Sequence, residues 1–128
     1  MKVHHIGYLV EDMAAAEKDF LALGFAVEKG AVYDEYRQVD IAFLIKDGVR
    51  VELVAPRPDC KLFKSLKKRI GNAPYHICYA SDSYARDAAS LTQRGYTLIA
   101  DLMPAPALDN SRVAFFYSAS SGMLELIE

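Results

Sequence analysis

Two histidines and two glutamates stand at matching places in two parts of this sequence, His5 with His76 and Glu52 with Glu125. Neutral imidazoles and carboxylates together suit a borderline divalent cation such as Zn, Ni, Co or Mn, since neither a thiolate set nor an all-oxygen calcium shell is offered. A lone strand histidine usually satisfies a backbone carbonyl, and a lone strand glutamate usually faces solvent. It is the recurrence of both residue types in both parts that marks them as a ligand set for one ion. Asp40, Arg50 and Arg112 form a second tier. Asp40 is a candidate second proton acceptor, and Arg50 or Arg112 could hold a substrate carboxylate through the bidentate guanidinium fork. An ion pair between Asp40 and Arg112 is the structural alternative. His4 has the opposite strand parity to His5 and is the weaker metal candidate.

The elements that position these residues follow from an internal repeat. HIGYLVEDMAAAEKDFLALGFAVEKG, from His5, lies without a gap over HICYASDSYARDAASLTQRGYTLIAD, from His76. Further on, Ile41-Ala-Phe-Leu lies over Val113-Ala-Phe-Phe, and Val51-Glu-Leu-Val over Leu124-Glu-Leu-Ile. Each copy begins with an apolar strand (Val3–Val10; Tyr75–Ala80) and a helix (Met13–Leu23; Ser83–Arg94) closed by Gly24 or Gly95 at the left-handed position that ends helices. A short strand comes next (Phe25–Glu28; Tyr96–Ile99), then a loop. Two alternating runs complete the copy, Val39–Ile45 with Val49–Val54 and Arg112–Tyr117 with Met123–Ile127, joined by short Gly-containing turns that indicate hairpins. The expected fold is therefore α+β: two βαβββ repeats, one over about 1–56 and one over about 74–128, in a single domain of 1–128. The linker of about 57–73 carries a helix over Asp59–Ile70.

Strand alternation sorts the residues into two faces. Ile6, Tyr8, Val10, Ile41, Phe43, Val51, Leu53, Val113, Phe115, Leu124 and Leu126 are expected under the helices, against Phe20, Leu23 and Leu91. The other face mixes small residues such as Gly7, Ala42, Cys78 and Ala114 with His5, Asp40, Glu52, His76, Arg112 and Glu125. Small residues around a few convergent polar groups describe a ligand cavity.

Composition narrows the classes. The chain has 128 residues, a formal net charge of −2 and 52% hydrophobic residues, which is a globular domain with no general attraction to nucleic acid or to an anionic membrane. A small-molecule substrate is expected. The opening MKVHHIGYLV has neither a cleavage site nor the length of a span, so the expected location is the cytoplasm. Cys60 and Cys78 are too few for a disulfide framework, and Cys78 reads as a small buried residue. Lys61, Lys64, Lys67, Lys68 and Arg69 read as a solvated helix face, with contact to the phosphates of a CoA or nucleotide handle as the alternative.

The segments His5-Ile-Gly-Tyr-Leu-Val-Glu-Asp-Met, Val51-Glu-Leu-Val-Ala-Pro56, Tyr75-His-Ile-Cys-Tyr and Gly122-Met-Leu-Glu-Leu-Ile, in this order, resemble the vicinal oxygen chelate superfamily, which includes glyoxalase I, methylmalonyl-CoA epimerase, extradiol dioxygenases and resistance proteins. The resemblance implies curved half-sheets closing into an open barrel around one divalent metal ion, with His5, Glu52, His76 and Glu125 at the ligand positions. Glu52 as a fourth ligand favours the isomerase branch, and the opening strand and helix are more similar to the methylmalonyl-CoA epimerase group, although Glu52 stands where that group commonly has Gln. The implied activity is a metal-dependent isomerase or epimerase acting through a metal-stabilised enolate on a small molecule such as an acyl-CoA or other thioester. Glu125 and Glu52 are then ligand and base alternately, and a homodimer is expected. A glyoxalase I-like lyase and a ligand-sequestering binding or resistance protein are the alternatives.

Overall fold

A computed structural model describes residues 1–128. The first repeat runs β1 (Lys2–Leu9), α1 (Met13–Ala22), β2 (Ala26–Asp34), β3 (Val39–Lys46) and β4 (Val49–Pro56). After α2 (Lys64–Ile70) the second runs β5 (Ala73–Ala80), α3 (Tyr84–Gln93), β6 (Thr97–Ala105), a 3-10 turn at Pro106–Leu108, β7 (Ser111–Ser118) and β8 (Gly122–Ile127). The strands form one eight-stranded sheet in the order β2-β3-β4-β1-β5-β8-β7-β6. Each repeat thus contributes four consecutive strands, and the halves join where β1 meets β5 antiparallel. The two edges meet each other in space. Lys29 of β2 donates to the Ala107 carbonyl at 2.8 Å, and Arg37 donates to the Pro104 carbonyl at 2.9 Å, so the sheet curls into a barrel whose seam is closed by side chains instead of a strand ladder.

Helices α1 and α3 lie on the convex face, whereas Phe63 and Leu66 at α2 pack on the inner-face cluster of Leu9, Ile41, Phe43 and Val54. The Asp12 side chain caps α1 by accepting from the Ala15 amide, and Phe20, Ala16 and Met13 of that helix pack on Leu44, Val51 and Leu53. Leu91 of α3 packs with Ala114, Phe116, Leu124 and Leu126. Leu23, expected in this core, is 64% exposed beyond the end of α1.

The strand faces of β3 and β7 are the reverse of those expected from sequence, and turn geometry explains why. Asp47 and Gly48 both have positive φ, which makes a two-residue type I′ hairpin and fixes Lys46 opposite Val49. Counting back from that turn sets Phe43 opposite Glu52 and Ala42 opposite Leu53. Residues facing one another across such a turn have unlike number parity, so Phe43 shares the inner face with Glu52 while Asp40, Ala42 and Leu44 take the outer face. In the second repeat Phe115 lies opposite Glu125 and Ala114 opposite Leu126, with the same consequence for Arg112. Two further differences concern boundaries. The segments expected as loops after the short strands are mostly strand, because β2 reaches Asp34 and β6 reaches Ala105. Both are edge strands, exposed along most of their length and interrupted by register shifts, which removes the alternation that identifies a strand. The linker helix is shorter than expected, beginning at Lys64.

Candidate metal centre

Four adjacent strands, β4, β1, β5 and β8, bring the two histidines and two glutamates together. One row across the sheet reads Glu52, Gly7, His76; the neighbouring row reads His5, Cys78, Glu125. A small residue therefore lies between each histidine and the glutamate beyond it. At Gly7 a larger residue would displace the histidine: an added Cβ would sit 1.9 Å from Cε1 of the His76 ring, so that ring would have to move. The side chain of His76 occupies the space that glycine leaves.

All four residues are buried, none more than 4% exposed. His5 Nε2 is 3.2 Å from His76 Nε2, 3.3 Å from Glu52 Oε2 and 3.1 Å from Glu125 Oε2. His76 Nε2 is 3.6 Å from Glu52 Oε2 and 3.3 Å from Glu125 Oε2. Donors held at about 2.1 Å from one ion stand about 3.0 Å apart at right angles and about 3.4 Å apart at the tetrahedral angle. The observed separations fall around those values. Glu125 Oε2, although close to both imidazoles, makes no hydrogen bond, and an orphaned carboxylate oxygen in a dry interior is costly unless a cation is its partner. The donor set fits a single divalent ion.

Electrostatics around the cluster are strong. Burial alone would lower the His5 pKa, but the negative charges of Glu52 and Glu125 beside it outweigh burial and raise that pKa to about 9. Burial would raise the Glu125 carboxyl, and the imidazoles of His5 and His76 instead hold it far below the usual carboxylate range. Burial, reinforced by Glu125, pushes the Cys78 thiol upward, and burial likewise raises Tyr75, with Glu52 and Glu125 adding to the effect.

His4, His5 and Cys78 form a second group of potential donors. The His4 and His5 Nδ1 atoms are 2.8 Å apart, a hydrogen-bond distance too short to hold an ion between two nitrogens at about 2.1 Å each in either of those geometries. His4 comes inward because β1 changes register between Val3 and His5, which interrupts the alternation that would have placed it on the helix side. Burial, and after it the charges of His5 and Arg50, lowers the His4 pKa.

The second-tier residues are distributed differently. Asp40 does not join the cluster: its carboxylate is bound by Arg57, with Nη2 to Oδ1 at 2.8 Å. Arg112 pairs with Glu128, so the Asp40–Arg112 ion pair is not formed. Both departures follow from the reversed faces of β3 and β7. Arg50 is bound to Glu28 and approaches His4 at the rim of a cavity of about 420 Å³. On the other side of the cluster, Glu52 and Glu125 open onto a space of about 20 Å³ walled by Tyr75, Phe63, Asp34 and Arg37. Asp34 and Arg37 were missed by pattern reading. Asp34 is fully buried, accepts from the Tyr36 and Arg37 amides and receives Arg37 Nη1 at 2.6 Å. A short Asp-x-x-Arg spacing in a polar loop was the only signal. With its oxygens so occupied, Asp34 holds Arg37 against the seam.

Comparison with known proteins agrees with this architecture. A family model described as the Glyoxalase/Bleomycin resistance protein/Dioxygenase superfamily matches residues 4–115. No curated protein sequence matches. Among solved structures, a hypothetical protein from Bacillus halodurans C-125 is similar with a TM-score of 0.84 and 24% identity, over 99% of this chain and 93% of that one. The Streptomyces coelicolor methylmalonyl-CoA epimerase in complex with 2-nitronate-propionyl-CoA gives a TM-score of 0.81 and 24% identity, over 99% and 93%. The Mycobacterium tuberculosis methylmalonyl-CoA epimerase gives 0.82 and 20%, over 99% and 87%. At these identities the likeness carries the fold.

Proposed function

The chain belongs to the glyoxalase/bleomycin resistance/dioxygenase superfamily, and we propose that within it the protein is a metal-dependent isomerase of the epimerase type, acting on an acyl thioester through an enolate. The observation that carries this reading is the buried cluster itself: two histidines and two glutamates at ligand spacing, with a carboxylate from each repeat facing a common cavity. His5, Glu52, His76 and Glu125 would hold the ion. When bound, a divalent cation supplies Lewis-acid stabilisation for negative charge developing on substrate oxygens.

The protein's own residues supply proton transfer and exclusion of water. A carboxylate takes the proton from the carbon beside the thioester carbonyl, and the C–H electron pair moves into the enolate. Inversion needs a second group, initially protonated, to return a proton to the opposite face. Asp40 is bound to Arg57 on the outer face; Glu125, kept ionised by His5 and His76, is then the base, and Glu52 of the other repeat, outside the ligand set while protonated, is the acid. The aromatic walls, Tyr75 and Phe63, keep the reacting carbon dry. Phe63 also borders a surface cleft of about 630 Å³ that includes Arg57, Lys64, Lys67 and Lys68. The cations of that cleft suit the phosphates of an acyl-CoA.

The test is exchange of the substrate α-hydrogen. Protein loaded with Co(II) or Zn(II), mixed with branched acyl-CoA thioesters in heavy water, is expected to incorporate deuterium at that carbon, read by mass spectrometry. If no acyl thioester exchanges while a thiol adduct of a 2-oxoaldehyde is converted, the protein is a lyase and the epimerase reading is overturned.

A further inference from the structure

The two ligand histidines are supported in different ways. His76 Nδ1 is buried and has no hydrogen-bond partner. His5 Nδ1 has one, the Nδ1 of His4 at 2.8 Å, and this neighbour is itself a half-buried ring packed edge-on against His5 and Phe43. The residue of the second repeat that corresponds to His4 is Tyr75, whose ring lies edge-on to His76 at 4.5 Å between centroids and offers no acceptor there. The repeat has diverged at the one position that touches the outer nitrogen of a ligand.

We propose that His4 is a positioning residue for the metal centre, accepting the His5 Nδ1 proton and so fixing the ring and tautomer of that ligand. The inference rests on reading His5 as a ligand through Nε2, the nitrogen that faces Glu52, Glu125 and His76. A neutral imidazole that coordinates through Nε2 must carry its proton on Nδ1, and a buried N–H without an acceptor costs about 1–3 kcal/mol. His4 Nδ1 is the acceptor within reach. In that arrangement the proton of His4 is on Nε2, so Arg50 cannot donate to it. Arg50 Nη1 stands 3.1 Å from His4 Nε2 and 3.5 Å from the His4 carbonyl oxygen, so with His4 Nε2 protonated the guanidinium gives up the Nε2 contact and keeps Glu28 and the carbonyl. Outer partners of ligand histidines generally raise metal affinity by holding the ring where the metal needs it.

The test compares Co(II) binding by the wild type, His4→Asn and His4→Phe, using competition with a chromophoric chelator and the visible absorption of the bound ion. Asn places a carbonyl oxygen about where His4 Nδ1 stands; Phe keeps the ring and removes the acceptor. His4→Phe is expected to weaken Co(II) binding on the order of 10- to 100-fold and to change the absorption spectrum, while His4→Asn recovers most of the affinity. Should His4→Phe not fold, as judged by circular dichroism, His4→Leu makes the same comparison. Equal affinity and spectra in all variants would overturn the inference, and so would equal losses in Asn and Phe, which would make His4 a packing residue. If the wild type binds no Co(II), the ligand reading fails first and takes this inference with it.

Discussion

The two repeats build one centre from the same parts, but they secure those parts by different physics. In the first repeat the ring of His5 stands opposite Cys78 and has the His4 ring at its outer nitrogen. In the second, His76 stands opposite Gly7 in space that any larger residue would fill, and it is held by packing between Tyr75 and Phe115. The glutamates are alike, each inner-facing and each opposite a phenylalanine, Phe43 or Phe115, across its hairpin. Duplication supplies the approximate symmetry of the donor set. The departures from symmetry then set each ring separately, one by a polar contact and one by shape.

The comparison is broken most severely at the glutamates. Glu125→Gln is expected to lower α-hydrogen exchange by about 10²–10⁴-fold with a much smaller effect on substrate affinity, because the amide removes the base and keeps a coordinating oxygen. Glu52→Gln separates the roles: if the two glutamates serve opposite faces, it abolishes inversion while leaving measurable exchange, and equal exchange and inversion rates in Glu52→Gln would show that one base suffices.

At the seam the two cross-repeat contacts also differ, and stability reads the difference. Arg37→Ala leaves Asp34 buried without its cation, so urea unfolding is expected to show a loss of about 3 kcal/mol, the lower end for breaking a buried pair. Lys29→Ala removes a partly exposed contact and is expected to cost under about 1 kcal/mol. A loss at Arg37 no larger than that at Lys29 would mean that the seam is not closed there.

Gly7→Ala and Cys78→Ala address the corresponding small positions directly. The first drives a methyl group into the His76 ring and is expected to weaken metal binding by roughly 10- to 100-fold, the scale seen when a ligand's support is disturbed. The second only trims a buried side chain and should leave affinity within a few-fold of wild type. Equal affinities in the two variants would contradict the claim that shape holds His76.

A further effect is on pH dependence. In metal-free protein the His5 pKa is raised to about 9 from an ordinary value near 6.5, so the stability from its protonated form is full below about 6.5 and is lost as pH climbs through about 9. Melting temperature of the metal-free protein is expected to fall across that window, and His5→Gln is expected to flatten the fall. Metal binding displaces the same proton, so affinity should rise over the same range.

The repeat was legible because paired hairpins and matched His and Glu positions survive as short strings, and agreement between the copies singled out the four side chains that the fold brings together. What escaped sequence reading has specific causes. The faces of β3 and β7 were assigned by alternation alone, without counting from the Asp47-Gly48 turn that fixes register. The Asp47-Gly48 turn puts Phe43 in place of Asp40 on the inner face, and the separate Ser118–Gly122 connection puts Phe115 there in place of Arg112. β2 and β6 were shortened because bulged edge strands lack an apolar face. His4 was set aside because strict alternation does not foresee the register change beside it. Asp34 ends β2 and Arg37 follows in the turn, and their burial depends on the opposite edge of the sheet, a contact no local pattern encodes.

Metal content tests the central claim most directly. Protein purified without chelators and loaded by dialysis against Co(II) or Zn(II) is to be analysed by plasma mass spectrometry beside His76→Ala treated identically. The arrangement of His5, Glu52, His76 and Glu125 predicts about one divalent ion per wild-type chain and a marked loss in the variant, with circular dichroism showing the fold retained. Wild type that binds no ion, or a His76→Ala protein loaded as fully as wild type, would contradict it.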